Sequence, residues 1–536
     1  MATFFNASNS TFNHAERDLH IHACINCESV VFVGVWQFPT GYAFLAIQSS
    51  LRELDPAPMD GTRSECLANT RMDVLELIKS WIHFKPERVF WLYGVAGSGK
   101  STLSTTIANL FRPQEQLGAF LFFNRDVAER SHPKYVIRTL AYQLGMFDPR
   151  IGLAIASVIQ AIPTITQSSF HDQFFELLVK PLSTFPSPEG PIVLVLDALD
   201  ECGSARDRRD LLAVLAAESA FLPPFVRIVI TSRNEAEIRK AFTTQSHTFA
   251  HELDIASQDN FEDIKLFLRH RMQTIISLNE YLGLVSSWPD DDVIQVLAER
   301  AAGLFVWAAT ACRFIEDGHD PRERLDTLLQ GDGNTNAESA LDDLYATALQ
   351  SVGNWDDKVF CQEFRAIIGT ILVARNPITI EVIDSLLRRP SKSLHLISKL
   401  GCVLRWSETE PVRILHLSFA DYLTNQLRCG SETRYIDVGL HHRSLGLHCI
   451  DHLRGVLGHA HDHTQATIYA TTSWIDHACM VKDDTESIIS ALETFIFRHL
   501  LHWLAEMSAL RKSRTAVELF FRLQNHLNVR HPRCLS

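Results

Sequence analysis

The stretch from Gly94 to Ser101 carries the residues of this sequence best suited to chemistry. It reads Gly-Val-Ala-Gly-Ser-Gly-Lys-Ser, which fits the spacing G-x-x-x-x-G-K-[ST]. Glycines let the backbone curl so that successive N–H groups face one phosphate. The Lys100 ammonium can bridge the β- and γ-phosphates of a nucleotide, and the Ser101 hydroxyl can ligate Mg²⁺. The predicted phosphate-binding residues are Gly94, Val95, Ala96, Gly97, Ser98, Gly99, Lys100, Ser101 and Thr102.

A second reactive group, made of carboxylates, follows an apolar run at 191–196. Asp197 ends this run, where a carboxylate can hold Mg²⁺ or its water. Asp200 and Glu201 follow within four residues, close enough to the same crevice to orient or activate an attacking water. An ordinary acidic loop after a core strand is the alternative. The presence of the glycine-rich loop favours the metal and water roles.

A third polar group, Thr231 to Arg233, follows the apolar run at 226–230. An arginine at a strand end can point at a γ-phosphate and so sense whether that phosphate is present. The alternative is an arginine that is simply solvated. A separate basic cluster is predicted to cap a solvated helix: Arg206, Arg208 and Arg209.

The elements that must position these groups follow from hydrophobic spacing. Short apolar runs predict buried parallel strands at 89–93, 118–123, 191–196, 226–230 and 248–253. Helical spacing is found at 102–111, 133–146, 151–161, 168–180 and 207–220. This βα alternation predicts an α/β fold with a parallel sheet of about five strands, covered by helices on both faces.

The composition is that of an ordinary globular chain of several domains. The 536 residues are 46% hydrophobic and 21% charged, with a net charge of -13. These values exclude a wholly disordered, collagen-like or multi-span membrane protein. The acidic balance argues against a dedicated nucleic-acid binder. Eleven cysteines in no dense pattern favour a reduced, intracellular setting.

The amino-terminal segment leaves several alternatives open. Residues 29–47 lack charge and just reach the length of a membrane span, but Gln37 and Pro39 interrupt them, so a membrane helix is disfavoured. Two short strands or a buried hairpin around Pro39 is the favoured alternative, and a gene-model artefact is the third. His20, His22, Cys24 and Cys27 could ligate zinc, although a solvated tail with free thiols is favoured.

Three motifs together resemble a NACHT domain, in the STAND class of signalling P-loop NTPases. They are VFWLYGVAGSGKST at 89–102, IVLVLDALDEC at 192–202 and RIVITSR at 227–233. The resemblance is greatest to fungal NACHT proteins with a nephrocystin-3-like amino-terminal region. Shorter stretches resemble other parts of the same module, at 66–71, 122–145, 301–308, 415–423 and 492–512. The resemblance therefore covers about residues 61 to 525.

The resemblance assigns roles to individual residues. It implies that 94–101 bind phosphate and Mg²⁺, that Asp197 serves the metal, that Asp200 and Glu201 serve the hydrolytic water, and that Arg233 is the sensor. It also implies that His416 locks a diphosphate-bound form and that Thr70 and Arg71 lie near the base or ribose. From the residues alone, His416 is better explained as a half-buried histidine on an amphipathic segment. Related families often have proline where this chain has Phe305, which leaves the base contact open.

The resemblance also divides the chain. It implies a poorly defined segment at 1–60, a NACHT P-loop NTPase core at 61–255, a helical domain at 256–350, a winged-helix-like domain at 351–430, a carboxyl-terminal helical segment at 431–525 and a tail at 526–536. We find no repeat with a period of 20–50 residues in 430–536, so we expect no carboxyl-terminal repeat sensor.

The function expected from these features is a nucleotide-dependent signalling switch. It would bind ATP or GTP with Mg²⁺, hydrolyse it slowly, and regulate responses of the NLR-like innate-immunity or incompatibility kind. We expect self-oligomerisation in the triphosphate state, protein partners of unknown identity, no nucleic acid, no membrane and a cytoplasmic location. Two alternatives stay open: an NTP-consuming enzyme, such as an AAA+-like ATPase or phosphotransferase, and a scaffold that binds nucleotide without hydrolysing it.

Overall fold

A parallel β-sheet of five strands organises the first half of the molecule. The computed structural model describes residues 23–26, 29–32, 41–59, 63–125, 127–330, 336–388, 392–407, 409–457, 464–481 and 486–530. The sheet strands are β3 (Val89–Tyr93), β4 (Leu117–Phe122), β5 (Ile192–Asp197), β6 (Val226–Ser232) and β7 (Thr248–Glu252). Their order across the sheet is β4-β5-β6-β3-β7, and every pairing is parallel. The five predicted strands are confirmed, each to within two residues at either end.

Helices cover both faces of this sheet. In chain order they are α1 (Gly41–Arg52), α2 (Met72–Phe84), α3 (Lys100–Phe111), α4 (Ala128–Ser131), α5 (Val136–Phe147), α6 (Pro149–Ala161), α7 (Phe170–Phe174), α8 (Lys180–Thr184), α9 (Arg209–Ala217) and α10 (Ala236–Thr243). A π-helical turn, Phe175–Val179, joins α7 to α8. Successive strand residues point to opposite faces, so Trp91 packs in one core with α5 and α6 while Phe90 packs in the other with α2 and α3.

The second half of the described chain is almost entirely helical. Its helices are α11 (Gln258–Leu278), α12 (Asp291–Arg300), α13 (Phe305–Glu316), α14 (Pro321–Gln330), α15 (Ala337–Gln350), α16 (Lys358–Val373), α17 (Ile380–Leu387), α18 (Lys392–Ser398), α19 (Leu417–Thr424), α20 (Gln426–Cys429), α21 (Val438–Val456), α22 (Gln465–Met480), α23 (Glu486–Ala509) and α24 (Ser513–Arg530). A short antiparallel pair, β8 (Leu404–Arg405) and β9 (Arg413–Ile414), precedes α19. One continuous core cluster of buried side chains runs from Ile264 to Leu523.

The amino-terminal segment departs from the favoured prediction. The strands β1 (Ala23–Asn26) and β2 (Ser29–Phe32) pair with each other, whereas residues 41–52 form α1. The expected second strand after Pro39 is therefore wrong, because Ile47, Leu51 and Leu54 recur at helical spacing and are buried. Pro39, His20, His22 and Cys27 lie outside the described residues. None of the helices described here is long and apolar enough to cross a membrane.

Candidate functional site

The glycine-rich loop joins β3 to α3 at the carboxyl edge of the sheet. Gly97 and Gly99 have φ angles of 80° and 94°, a conformation that side chains with a Cβ rarely adopt. Gly99 directly precedes α3, so the loop leads into the amino end of a helix, where N–H groups lack intrahelical partners. The strand, loop and helix stand in the order that the motif requires. This geometry suits an anion.

Lys100 is folded back onto the loop that precedes it. Its Nζ atom donates to the carbonyl oxygens of Gly94, at 2.8 Å, and Val95, at 2.7 Å. Burial lowers the pKa of Lys100 to about 8, against the opposing effect of the Asp200 charge. A phosphate entering the loop would offer the ammonium a charged acceptor in place of two neutral carbonyls. The Lys100 ammonium is therefore held by two neutral carbonyls, from which a bound phosphate could attract it.

Asp197 is fully buried at the end of β5, and its two carboxylate oxygens have different partners. Oδ1 accepts from the hydroxyls of Ser104, at 3.0 Å, and Thr231, at 2.6 Å. Oδ2 lies 3.0 Å from Nη1 of Arg63 without the geometry of a hydrogen bond, and it accepts none from the other residues that the structure describes. Asp197 and the Ser101 hydroxyl are hard oxygen donors of the kind that Mg²⁺ prefers, and the orphaned oxygen fits a metal or its water. These residues therefore fit the metal that the motif implies.

The two carboxylates of the acidic loop after β5 have different surroundings. Asp200 is buried, and it accepts from the Arg233 backbone N–H at 2.9 Å. Burial, reinforced by the Asp200 charge, raises the pKa of Glu201 to about 8. Glu201 is consequently mostly protonated at pH 7 in this state. It would become a useful general base once a cation or substrate changed its surroundings.

Arg208 supports this loop, and its predicted role is wrong. Its Nη1 atom donates to the carbonyls of Asp200, at 2.7 Å, and Gly203, at 2.9 Å. Its Nη2 atom contacts the carboxylates of Glu235 and Glu237. Arg208 is buried because two carboxylates and two carbonyls replace its water, whereas Arg206 and Arg209 are exposed as expected of helix-capping residues.

Arg233 connects the acidic loop to α19. Its Nε atom lies 3.3 Å from Oδ2 of Asp200, and its Nη1 atom donates to Oδ2 of Asp421, on α19, at 2.8 Å. The predicted alternative of a solvated arginine does not describe this side chain. The same guanidinium that contacts Asp200 in the acidic loop thus also holds α19 against that loop.

His416 begins α19 and lies against the glycine-rich loop. Its Nδ1 atom accepts from the Ser418 backbone N–H at 3.1 Å and contacts the Ser418 hydroxyl at 2.6 Å. Burial, with the nearby positive charges of Arg233 and Lys100, lowers its pKa to about 4. The ring is therefore neutral and carries its proton on Nε2. A Cβ placed on Gly97 would lie 3.7 Å from Cε1 of this ring.

The remaining two predicted residues differ in their relation to the loop. Arg71 donates from Nη2 to the Ser98 carbonyl at 2.7 Å, and its guanidinium lies over the Phe305 ring at 4.9 Å. The Thr70 hydroxyl instead donates to the Leu67 carbonyl at 2.7 Å, so it shapes the turn before α2. The structure thus brings Arg71 to the phosphate loop and gives Thr70 a local bond.

The first residues of α13 also rest on the loop. The Val306 backbone N–H donates to the Gly97 carbonyl at 3.1 Å. A Cβ on Gly97 would come within 2.1 Å of Cγ1 of Val306, so only glycine permits this approach. The start of α13 and the glycine-rich loop, which are far apart in the sequence, therefore contact each other at Gly97.

Sequence reasoning missed four of these contributors: Arg63, Arg208, Val306 and Asp421. Arg63 is a single charged residue in a segment without a motif, and Asp421 lies in the stretch 415–423, whose resemblance assigned a role to His416 alone. Val306 contributes a backbone group, which no residue pattern reveals. Arg208 could have been found from Glu235 and Glu237 only if the position of these two later carboxylates in space had been known.

Comparisons with known proteins agree with the motif assignments. Residues 72–233 match the family model described as "Nephrocystin 3, N-terminal". The chain is 22% identical over 360 residues to the vegetative incompatibility protein HET-E-1 of Podospora anserina, a match that covers 64% of this chain and 25% of that protein. The chain thus spans about a quarter of the length of that curated relative.

The solved structures that the chain matches are less similar in sequence than this relative. A STAND protein with a tetratricopeptide repeat sensor from Pyrococcus horikoshii is 15% identical with a TM-score of 0.46, over 89% of this chain and 60% of that one. Cdc6p from Pyrobaculum aerophilum is 15% identical with a TM-score of 0.30, over 69% of this chain and 93% of that one.

Proposed function

The chain contains a NACHT-type P-loop NTPase region of the STAND class, and from that premise we propose that it is a nucleotide-dependent signalling switch. In this proposal it binds ATP or GTP with Mg²⁺ and hydrolyses it slowly. The bound nucleotide then determines how the helical and winged-helix-like parts pack on the sheet. The response it controls would be of the incompatibility or innate-immunity kind.

One observation carries this proposal: the helical part and the winged-helix-like part of the chain both reach the phosphate loop of the sheet. The Val306 N–H bonds to the Gly97 carbonyl, and the His416 ring lies beside the same residue. Arg233 ties the acidic loop to Asp421. A nucleotide bound by this loop would contact groups from all three parts. Any difference in its phosphates would therefore change how these parts are held together.

The loop residues would bind and orient the nucleotide. Loop N–H groups and the Lys100 ammonium would hold the phosphates, while the Ser101 hydroxyl and the Asp197 carboxylate would hold Mg²⁺. When bound, Mg²⁺ neutralises charge that develops on the phosphate oxygens. Glu201 would accept a proton from the attacking water, and Asp200 would keep Arg233 in the crevice.

The diphosphate and the triphosphate would be contacted by different side chains near the phosphate loop. His416 presents a neutral Nε2–H donor, which suits the terminal oxygens of a diphosphate in the resting form. A γ-phosphate would instead attract Arg233, which Asp421 now holds. We infer that triphosphate binding weakens the attachment of α19, after which copies of the chain assemble. In this proposal Arg71 and Phe305, which stack on each other, would contact the base, and that pair is compatible with both ATP and GTP.

The nucleotide that copurifies with the protein tests the proposal directly. The full chain is denatured, the released nucleotide is resolved by chromatography, and the variants Lys100→Ala and Lys79→Ala are treated in parallel. Lys79 is a matched control because its ammonium pairs with Glu76 on α2, away from the loop. We expect stoichiometric diphosphate from the wild type and from Lys79→Ala, and none from Lys100→Ala.

The same preparation separates the proposed switch from its alternatives. Equal nucleotide in wild type and Lys100→Ala would refute the role of the loop. Fast turnover at saturating nucleotide would favour an NTP-consuming enzyme. Stable triphosphate that is never cleaved would favour a non-hydrolysing scaffold. Assembly that depends on triphosphate would favour the switch over that scaffold.

A further inference from the structure

We propose that Arg63 is a tethered cation that competes with Mg²⁺ for Asp197, so that the metal can be held only after this arginine has moved away. The inference rests on the proposed function, because it concerns the metal dependence of the same site. In this inference, the segment before α2 controls the affinity of the site for Mg²⁺.

The first support is the way in which the Asp197 carboxylate is divided. Its Oδ1 atom is occupied by the hydroxyls of Ser104 and Thr231. Its Oδ2 atom faces Nη1 of Arg63 at 3.0 Å. Asp197 is fully buried, so the one oxygen left for a metal or its water is the one that already has a cation beside it. Two cations next to a single buried oxygen would repel each other.

The second support is that Arg63 is placed by contacts of its own. Its guanidinium lies over the Phe122 ring, at 4.6 Å from the centroid. The residues after it are fixed to α3: the Cys66 backbone N–H donates to the Thr106 hydroxyl, and Asn109 donates to Glu65, each at 2.9 Å. The arginine thus reaches the crevice from a segment anchored on the helix that follows the phosphate loop.

The third support is that the contact between Arg63 and Asp197 can be broken at a small cost in free energy. The contact between Arg63 and Asp197 lacks the geometry of a hydrogen bond, although its two atoms are buried. The arginine side chain as a whole is 27% exposed, whereas that of Asp197 is fully buried. A guanidinium with a path to water can leave at smaller cost than one sealed inside.

The test measures how much Mg²⁺ the full chain needs to bind a fluorescent nucleoside triphosphate analogue. The variants are Arg63→Gln, Arg63→Lys and, as matched control, Arg130→Gln. Arg130 lies over the same Phe122 ring, at 4.8 Å, but donates to the Pro58 carbonyl rather than contacting Asp197. Affinity for the same analogue in EDTA is measured beside it, and thermal unfolding checks that each variant is folded.

We expect Arg63→Gln to lower the half-saturating Mg²⁺ concentration roughly tenfold, the effect of removing one close charged competitor. Arg63→Lys should stay near the wild type, and Arg130→Gln should not change it. An unchanged or higher Mg²⁺ requirement in Arg63→Gln would overturn the inference, and a higher one would mean that Arg63 assists the phosphates. If the wild type binds no analogue with or without Mg²⁺, the proposed function itself fails.

Discussion

Replacing Asp421 by asparagine should loosen the hold of α19 on the phosphate site and so speed diphosphate release. The substitution keeps the size of the side chain and removes its charge. Asp421 accepts from Nη1 of Arg233 at 2.8 Å, and Arg233 also faces Asp200. Without the carboxylate, Arg233 should turn fully to Asp200, and α19 should lose its ionic attachment.

The size of the effect follows from the exposure of the pair. A hydrogen bond between charged groups contributes about 1.5–3 kcal/mol. The side chains of Arg233 and Asp421 are 26% and 30% exposed, so solvent screening reduces that value. We therefore expect a loss of about 1–2 kcal/mol, which corresponds to roughly 5- to 30-fold in the opening equilibrium. The rate of diphosphate release should rise by the same factor if opening precedes release.

Stopped-flow release of a fluorescent diphosphate measures this rate. Asp342→Asn is the control, because Asp342 pairs with Arg428 at 2.6 Å, between α15 and α20 and away from the loop. It should alter stability without altering release. Equal release rates in the wild type and Asp421→Asn would refute the reasoning. So would an equal acceleration in both variants, since that would show general loosening.

Three further predictions test other parts of the site. Gly97→Ala should destabilise the fold by about 1–3 kcal/mol in denaturant titration, because its Cβ would lie 2.1 Å from Val306, whereas Gly430→Ala, at a positive φ with open space, should cost less. His416→Ala should raise the diphosphate release rate and spontaneous assembly, and an unchanged rate would remove His416 from the site. The kcat/KM for hydrolysis, whose pH profile reports the free protein, should rise as the pH approaches about 8, because Glu201 must lose its proton to act as base, and Glu201→Gln should abolish that rise.

The sheet and the phosphate loop could be predicted because their signals are local. Buried parallel strands need continuous apolar runs, and a loop that turns around a phosphate needs glycines at fixed spacing before Lys100. Asp197 was likewise marked by its place at the end of such a run. These constraints act between residues that are close in the sequence, so the strands and the loop can be predicted from the residue types alone.

The ionic contacts of the site could not be predicted because they join distant segments. Arg63 reaches Asp197, and Arg233 reaches Asp421, across more than a hundred residues in each case. A charged residue is normally solvated, so its type gives no reason to expect burial beside a partner. Arg208 illustrates this: its neighbours Arg206 and Arg209 are exposed, and only the path of the chain distinguishes them. The helix at 41–52 was missed because a short apolar run with Gly and Pro nearby fits either element.

The continuous core from Ile264 to Leu523 limits how the chain can move. Close-packed side chains transmit displacement and do not absorb it, so helices that share one core should travel as a single body. Val306 and Phe419, close to the loop, belong to the same core as Trp503, on α23. A small rotation at the phosphate loop would then sweep the far helices through a larger arc. The carboxyl-terminal helices would then rotate as one rigid body about the short link between β7 and α11.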